Sequence, residues 1–197
     1  MSEQQIIQKM IALNSHVSSK KIRNSEINEE DMLKISAACG EISSYDFNII
    51  TRKSTIQAIE VEARRLKNRG KLDLLIIDYL QLVKNAGKFN SREQEVADIS
   101  RTLKLLSLDL KIPIIALCQL NRNASRLQPT LADIRESGAV EQDADNVIFI
   151  YYENEADRQN GLVTIDLQKQ RAGDIGTVKV IFQKQFSRFV NLTRRYE

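Results

Sequence analysis

The sequence predicts an α/β protein whose mainly parallel sheet is flanked by helices and carries an antiparallel hairpin at its C-terminal end. Three observations carry that expectation. LDLLIIDYLQLV at 72–83, IPIIALC at 112–118 and NVIFIYY at 146–152 are near-continuous apolar runs, the pattern of strands buried on both faces. A segment of helical period separates the first two runs, as a strand-helix-strand unit requires. After Gly161 the rhythm changes to alternation in LVTIDLQ and TVKVIFQ, and FSRFVNL follows across a short turn, which predicts antiparallel strands at the sheet edge.

The remaining elements follow in order. Ser2 with Gln5 makes a capping-box pattern for a first helix, with Ile6, Ile7, Met10 and Ile11 on one face. A second helix is expected after Asn28, stopping at Gly40. FNIIT at 47–51 has the composition of a short strand. Ser54 and Gln57 then form another capping pattern, for a helix that places Ile56, Ile59, Ala63 and Leu66 together and ends at Gly70. A long helix runs from the Ser91 and Gln94 box through Val96, Ile99, Leu103, Leu106 and Leu110, and Pro113 restarts the pattern as a strand. No internal repeat, low-complexity stretch or linker divides residues 1–197, so one domain is expected.

Composition narrows the function classes. The chain is 42% hydrophobic and 28% charged with a net charge of +3, ordinary for a globular protein and too weakly basic to imply nucleic acid alone. No run approaches the roughly 18 apolar residues of a membrane span, and MSEQQ lacks the features of a secretory signal, so a cytosolic, cytoplasmic location is expected. Cys39 and Cys118 stand apart without metal-ligand spacing and read as reduced core thiols; His16 is isolated and reads as structural.

Asp78 interrupts the first apolar run near its carboxyl end. In open parallel sheets ligands bind beyond that end of the strands. A carboxylate held there suits a hard cation such as Mg2+, which takes oxygen or water ligands. The next strand delivers Gln119 to the same edge, where a neutral amide can sense a terminal phosphate or orient a water. A bare capped strand end is the bland alternative for each residue alone; the pair together favours a nucleotide-linked site.

IIDYLQLV, ALCQLNRNASR, LADIRESGAVEQDADNVIFIYYE and KQRAGDIGTVKVIFQKQFSRFVN resemble, in order and spacing, the C-terminal RecA-like motor domain of the DnaB-type replicative DNA helicases. DIRESGAVEQDAD is the most specific of these stretches, and the resemblance extends across the whole chain. It implies an ATP-driven motor that translocates on single-stranded DNA and unwinds duplex during replication, working as a homohexamer with ATP and Mg2+, with a primase and a loader as possible partners. Asp78 matches the Walker B aspartate that supports Mg2+, and Gln119 matches the polar sensor that couples phosphate state to the DNA loops. Arg135, Glu136 and Gly138 match a loop that faces the central channel and holds the DNA backbone. A glycine permits close approach, an arginine adds charge and a glutamate can fix the loop, while no aromatic platform stands beside them. Such binding is independent of base sequence. Lys169 and Arg171 match the arginine-finger segment, which reaches the phosphates held by a neighbouring subunit; a planar guanidinium that stays charged suits that task.

One departure stands out. The 197 residues include seven glycines but no GxxxxGK[ST] phosphate loop, and the glutamate that activates water in the family lies just before the region resembling Met1. Residues 1–197 are therefore expected to be a partial RecA-like domain, catalytically incomplete alone. In the family fold the phosphate-loop strand lies between those matching IPIIALC and NVIFIYY, so two strand edges are expected to lack partners and the isolated chain to be marginal or aggregation-prone. The alternative reading is a non-catalytic module that binds DNA or enters helicase rings; a different RecA-like ATPase, such as a recombinase, conflicts with DIRESGAVEQDAD.

Overall fold

The computed structural model describes residues 2–51, 55–120, 128–134 and 138–192. Along the chain, helices α1 (Glu3–Ser15), α2 (Ser19–Asn24), α3 (Glu29–Ser43) and α4 (Ile56–Asn68) precede strand β1 (Leu75–Ile77). Helix α5 (Arg92–Leu110), strand β2 (Ile114–Ala116), helix α6 (Gly138–Asp143), strand β3 (Asn146–Tyr151) and helix α7 (Glu155–Asn160) follow. Strands β4 (Leu162–Gln170), β5 (Gly176–Gln183) and β6 (Arg188–Asn191) close the chain. Two compact units result: Met1–Thr51 with Tyr152–Ile165 and Val178–Glu197, and Arg52–Tyr151 with Asp166–Thr177.

In the first unit α1 packs against α3 and α2, burying Ala12, Val17, Ala38 and Ile42. Ser2 and Gln5 form the expected capping box on α1. Helix α3 starts from an Asn28 cap as expected but continues through Gly40 to Ser43. Glycine weakens a helix interior by only about 1 kcal/mol, and the buried Ala38 and Ile42 on either side hold the turn in place. The expected strand at 47–51 is absent; those residues are irregular and mostly exposed, because strand propensity without a neighbouring edge forms no ladder. Cys39 is exposed, which corrects its reading as a core thiol, while Cys118 is half-buried; neither is in a disulfide. Gly161 ends α7 at φ 71°, and a Cβ there would lie 2.7 Å from the Phe182 carbonyl oxygen. No other residue suits that position.

The second unit is built on α5. One face of this helix places Val96, Ile99 and Leu103 against Ile56, Ile77, Leu80 and Val83; farther along, Leu106 and Leu110 pack with Ala63, Leu66, Leu72 and Ile112. Its cap is Ser91, which accepts from the Gln94 N–H at 3.2 Å, while the Gln94 side chain turns to the Asn90 N–H instead. Helix α4 is capped by Thr55, not Ser54, which lies outside the described residues. Gln57, expected to complete that box, instead donates to Asn85 Oδ1 at 2.7 Å.

The expected parallel pairing is present: β1 and β2 align Leu75 with Ile114 and Ile77 with Ala116. Both strands are shorter than their apolar runs, since after Asp78 the chain tightens into a 3-10 turn at Leu80–Leu82. The other strands form a separate sheet in the order β3-β4-β5-β6, with β5 and β6 antiparallel and Phe182 opposite Phe189. Burial on both faces, expected from the unbroken apolar runs, is not found. Ile76 is 58% exposed, Ile115 48% and Ile148 57%.

Candidate functional site

Asp78 follows β1 directly and is exposed beyond its carboxyl end. The parallel register brings the end of β2 alongside: Leu117 N–H donates to the Ile77 carbonyl at 2.9 Å, and Leu80 N–H donates to the Leu117 carbonyl at 2.8 Å. Asp78 and Gln119 thus leave the same edge of one parallel pair. Beyond the last rung, the Gln81 side chain takes over. Its Oε1 accepts from the Gln119 N–H at 3.2 Å, and its Nε2 donates to the Gln119 carbonyl at 3.2 Å and to Cys118 Sγ at 3.0 Å. Arg92, at the start of α5, holds that turn from the other side by donating to the Gln81 and Val83 carbonyls at 2.9 and 3.1 Å.

Lys169 and Arg171 sit at the end of β4, both within the second unit. Lys169 Nζ donates to the Glu141 carbonyl and the Arg171 guanidinium to the Gln142 carbonyl. These are free carbonyls in the last turn of α6, where cations are favoured. Arg171 N–H also donates to the Asp145 carbonyl at 3.0 Å, and its Nη1 lies 3.4 Å from Asp145 Oδ1. The Arg171 side chain remains 50% exposed. From α5, Lys104 Nζ donates to both carboxylate oxygens of Asp145, at 2.7 and 2.6 Å.

Of the residues expected in a DNA-binding loop, Gly138 is the exposed first residue of α6, with nothing among the described residues within 4 Å of where a Cβ would stand. Arg135 and Glu136 lie outside the described residues, as do Asn121 and Arg122. Sequence reasoning missed Gln81, Arg92, Lys104 and Asp145. Their partners lie 38 residues away for Gln81 with Gln119 and 41 for Lys104 with Asp145, so no local spacing announces them.

Asp78 fits Mg2+ in the way this ion is usually held, by one or two carboxylates with retained water, and no cluster of three or more metal-ligating side chains exists among the described residues. The triphosphate fits less well: no glycine-rich cradle exists within these 197 residues.

Four carboxylates are held below their ordinary range: Asp31 by Lys21, Glu95 by the Asn85 N–H and then Arg92, Asp145 by Lys104, and Glu153 by Lys179 and then Thr164. A pKa lower in the folded than in the unfolded chain stabilises the fold above the unfolded value, and that contribution disappears as pH falls through the folded value. Melting followed by circular dichroism is expected to be level from pH 7 to about 5 and to drop steadily below about pH 4, where free carboxylates protonate.

The family model for the DnaB-like helicase C-terminal domain matches residues 1–191. This chain belongs to that family. It is 38% identical to the replicative DNA helicase DnaB of Geobacillus stearothermophilus over 205 residues, spanning all of this chain and 45% of that protein. Its identity to the replicative DNA helicase DnaC of Bacillus subtilis is also 38%, with the same coverage. The chain therefore spans less than half the length of these relatives. Among solved structures, the ATPase domain of G40P superposes with a TM-score of 0.90 at 34% identity, covering 98% of this chain and 72% of that one. A DnaB-like replicative helicase, solved in a study of its interactions with primase, gives the same score and identity over 98% of this chain and 49% of its own. The fold is that of a RecA-like helicase ATPase domain.

Proposed function

We propose that residues 1–197 form a partial motor domain of a replicative DNA helicase, whose intact form couples ATP hydrolysis to translocation on single-stranded DNA and to duplex unwinding. The observation that supports this most is the shared edge: Asp78 and Gln119 leave one end of the β1–β2 pair, with Gln119 backbone-clamped by Gln81. In this reading Asp78 carries Mg2+ and Gln119 senses the terminal phosphate. ATP, when held by a complete site, supplies the phosphoryl group and its release energy. Lys169 and Arg171 act across a subunit boundary in a ring, and Arg135, Glu136 and Gly138 contact the DNA backbone without reading sequence. A primase contact and a loader contact belong to the same proposal, the first by likeness to the helicase studied with primase.

A second reading, supported by the half-exposed Arg171 side chain, is a non-hydrolysing module that binds DNA or enters mixed rings and offers that arginine to a neighbour. Both roles are tested by assaying ATP turnover of the chain alone and co-expressed with a full-length relative. The expected result is no turnover alone and stable entry into rings on co-expression. Turnover by the isolated chain that disappears on Asp78→Ala would overturn catalytic incompleteness, and failure to enter rings would remove the second role.

A further inference from the structure

The acid that grips Arg171 has no part in the roles above. Asp145 follows the end of α6 and precedes β3, and it touches Arg171 twice: through its carbonyl to the arginine N–H at 3.0 Å, and through its carboxylate, 3.4 Å from Nη1. The first contact fixes where the arginine leaves the strand; the second, with the Gln142 carbonyl, fixes where its side chain points. Lys104 holds the carboxylate from α5 through both oxygens, and its own side chain is 21% exposed. Leu103, one residue earlier on α5, packs in the core beside Ile77, which precedes Asp78.

We propose that Asp145, steadied by Lys104, is a positioning residue for Arg171, presenting the guanidinium for phosphate held by an adjoining subunit. This rests on the reading of Arg171 given above. A guanidinium offers five donors in a fixed fork. Here its inner side is occupied by the Gln142 carbonyl and the Asp145 carboxylate, while half of the side chain faces solvent. The arginine is thus partly ordered before any phosphate arrives, which lowers the freedom it must lose on engagement. Because α5 also supports β1, the chain's own Mg2+-holding acid and its trans-acting arginine share one rigid element.

Exposed ion pairs contribute little to stability, so removing this one is expected to shift function more than folding. The test uses a full-length relative whose own matching arginine is replaced by alanine, co-expressed with this chain. The wild-type chain is expected to restore ATP turnover. Arg171→Ala abolishes the restoration, and Asp145→Ala lowers its maximum by roughly ten- to a hundredfold, the loss expected when a catalytic group is misplaced by about 1 Å. The amount of chain needed for half-maximal restoration stays unchanged, melting shifts by less than about 3 °C, and Asp145→Glu recovers most of the turnover. Lys104→Met gives a smaller loss in the same direction. If the wild-type chain restores nothing, or Arg171→Ala restores as well as wild type, the reading of Arg171 fails and this inference with it. If Arg171→Ala is inactive but Asp145→Ala matches wild type, or merely needs more chain for the same maximum, the positioning role alone is overturned.

Discussion

Arg171→Ala is expected to remove nearly all the ATP turnover that depends on this chain's contribution to a neighbouring site, by about 10³-fold or more. Trans-acting arginines in phosphoryl transfer contribute about 10³ to 10⁵ in rate, and the local structure favours the high end. The side chain is half exposed and ordered by its own protomer through the Gln142 carbonyl and the Asp145 carboxylate. Arg171→Lys is expected to recover little, because an ammonium cannot hold the Gln142 carbonyl and the Asp145 carboxylate while also spreading donors over several phosphate oxygens. Stopped-flow or steady-state phosphate release in mixed rings measures both variants. Turnover within tenfold of wild type for Arg171→Ala would remove the trans-acting role.

Substitutions of isoleucine are expected to act in opposite senses according to place. Ile99 is fully buried between β1, α4 and the turn after Asp78. Truncating it to alanine is expected to cost about 2 to 5 kcal/mol, a large part of the roughly 5 to 15 kcal/mol that holds a domain together. Ile115 and Ile148 are the contrary case: among the described residues each lies on a strand that has a hydrogen-bonded neighbour on one side only, and each is about half exposed. Leu74, Ile76, Leu117 and Ile150 add to this apolar surface. Unpaired strand edges with apolar side chains promote association between chains. The double substitution Ile115→Thr with Ile148→Thr keeps β-branched residues in both strands, so stability is expected to change by less than about 1 kcal/mol. The monomer fraction seen by analytical ultracentrifugation is expected to rise several-fold. A wild-type chain that is already monomeric and melts sharply would contradict this.

The legible parts of the molecule were those written in runs. The apolar stretch interrupted by Asp78 and its counterpart before Gln119 announced a parallel pair and the edge from which both residues leave, and the Ser2 and Ser91 caps announced α1 and α5. FNIIT misled because a strand exists only when another edge accepts its hydrogen bonds, which composition does not record. Helices α2 and α7 are six residues each, too short to show a period. Gln81 and Asp145 were illegible for a different reason. Each acts on a backbone or side chain brought near by the fold, and neither residue type is unusual where it stands.

Gln81 carries one more implication. The last rung joining the two strands is made of main chain, whereas the link to Gln119 is a neutral side-chain amide, bonded through both its oxygen and its nitrogen. A side chain can rotate away without unzipping the strands beneath it. Release of that amide would free Gln119, the phosphate sensor in the proposed reading, while Asp78 at the neighbouring strand end stays where it is, and, carrying no charge, the Gln81 link holds equally well across the physiological pH range.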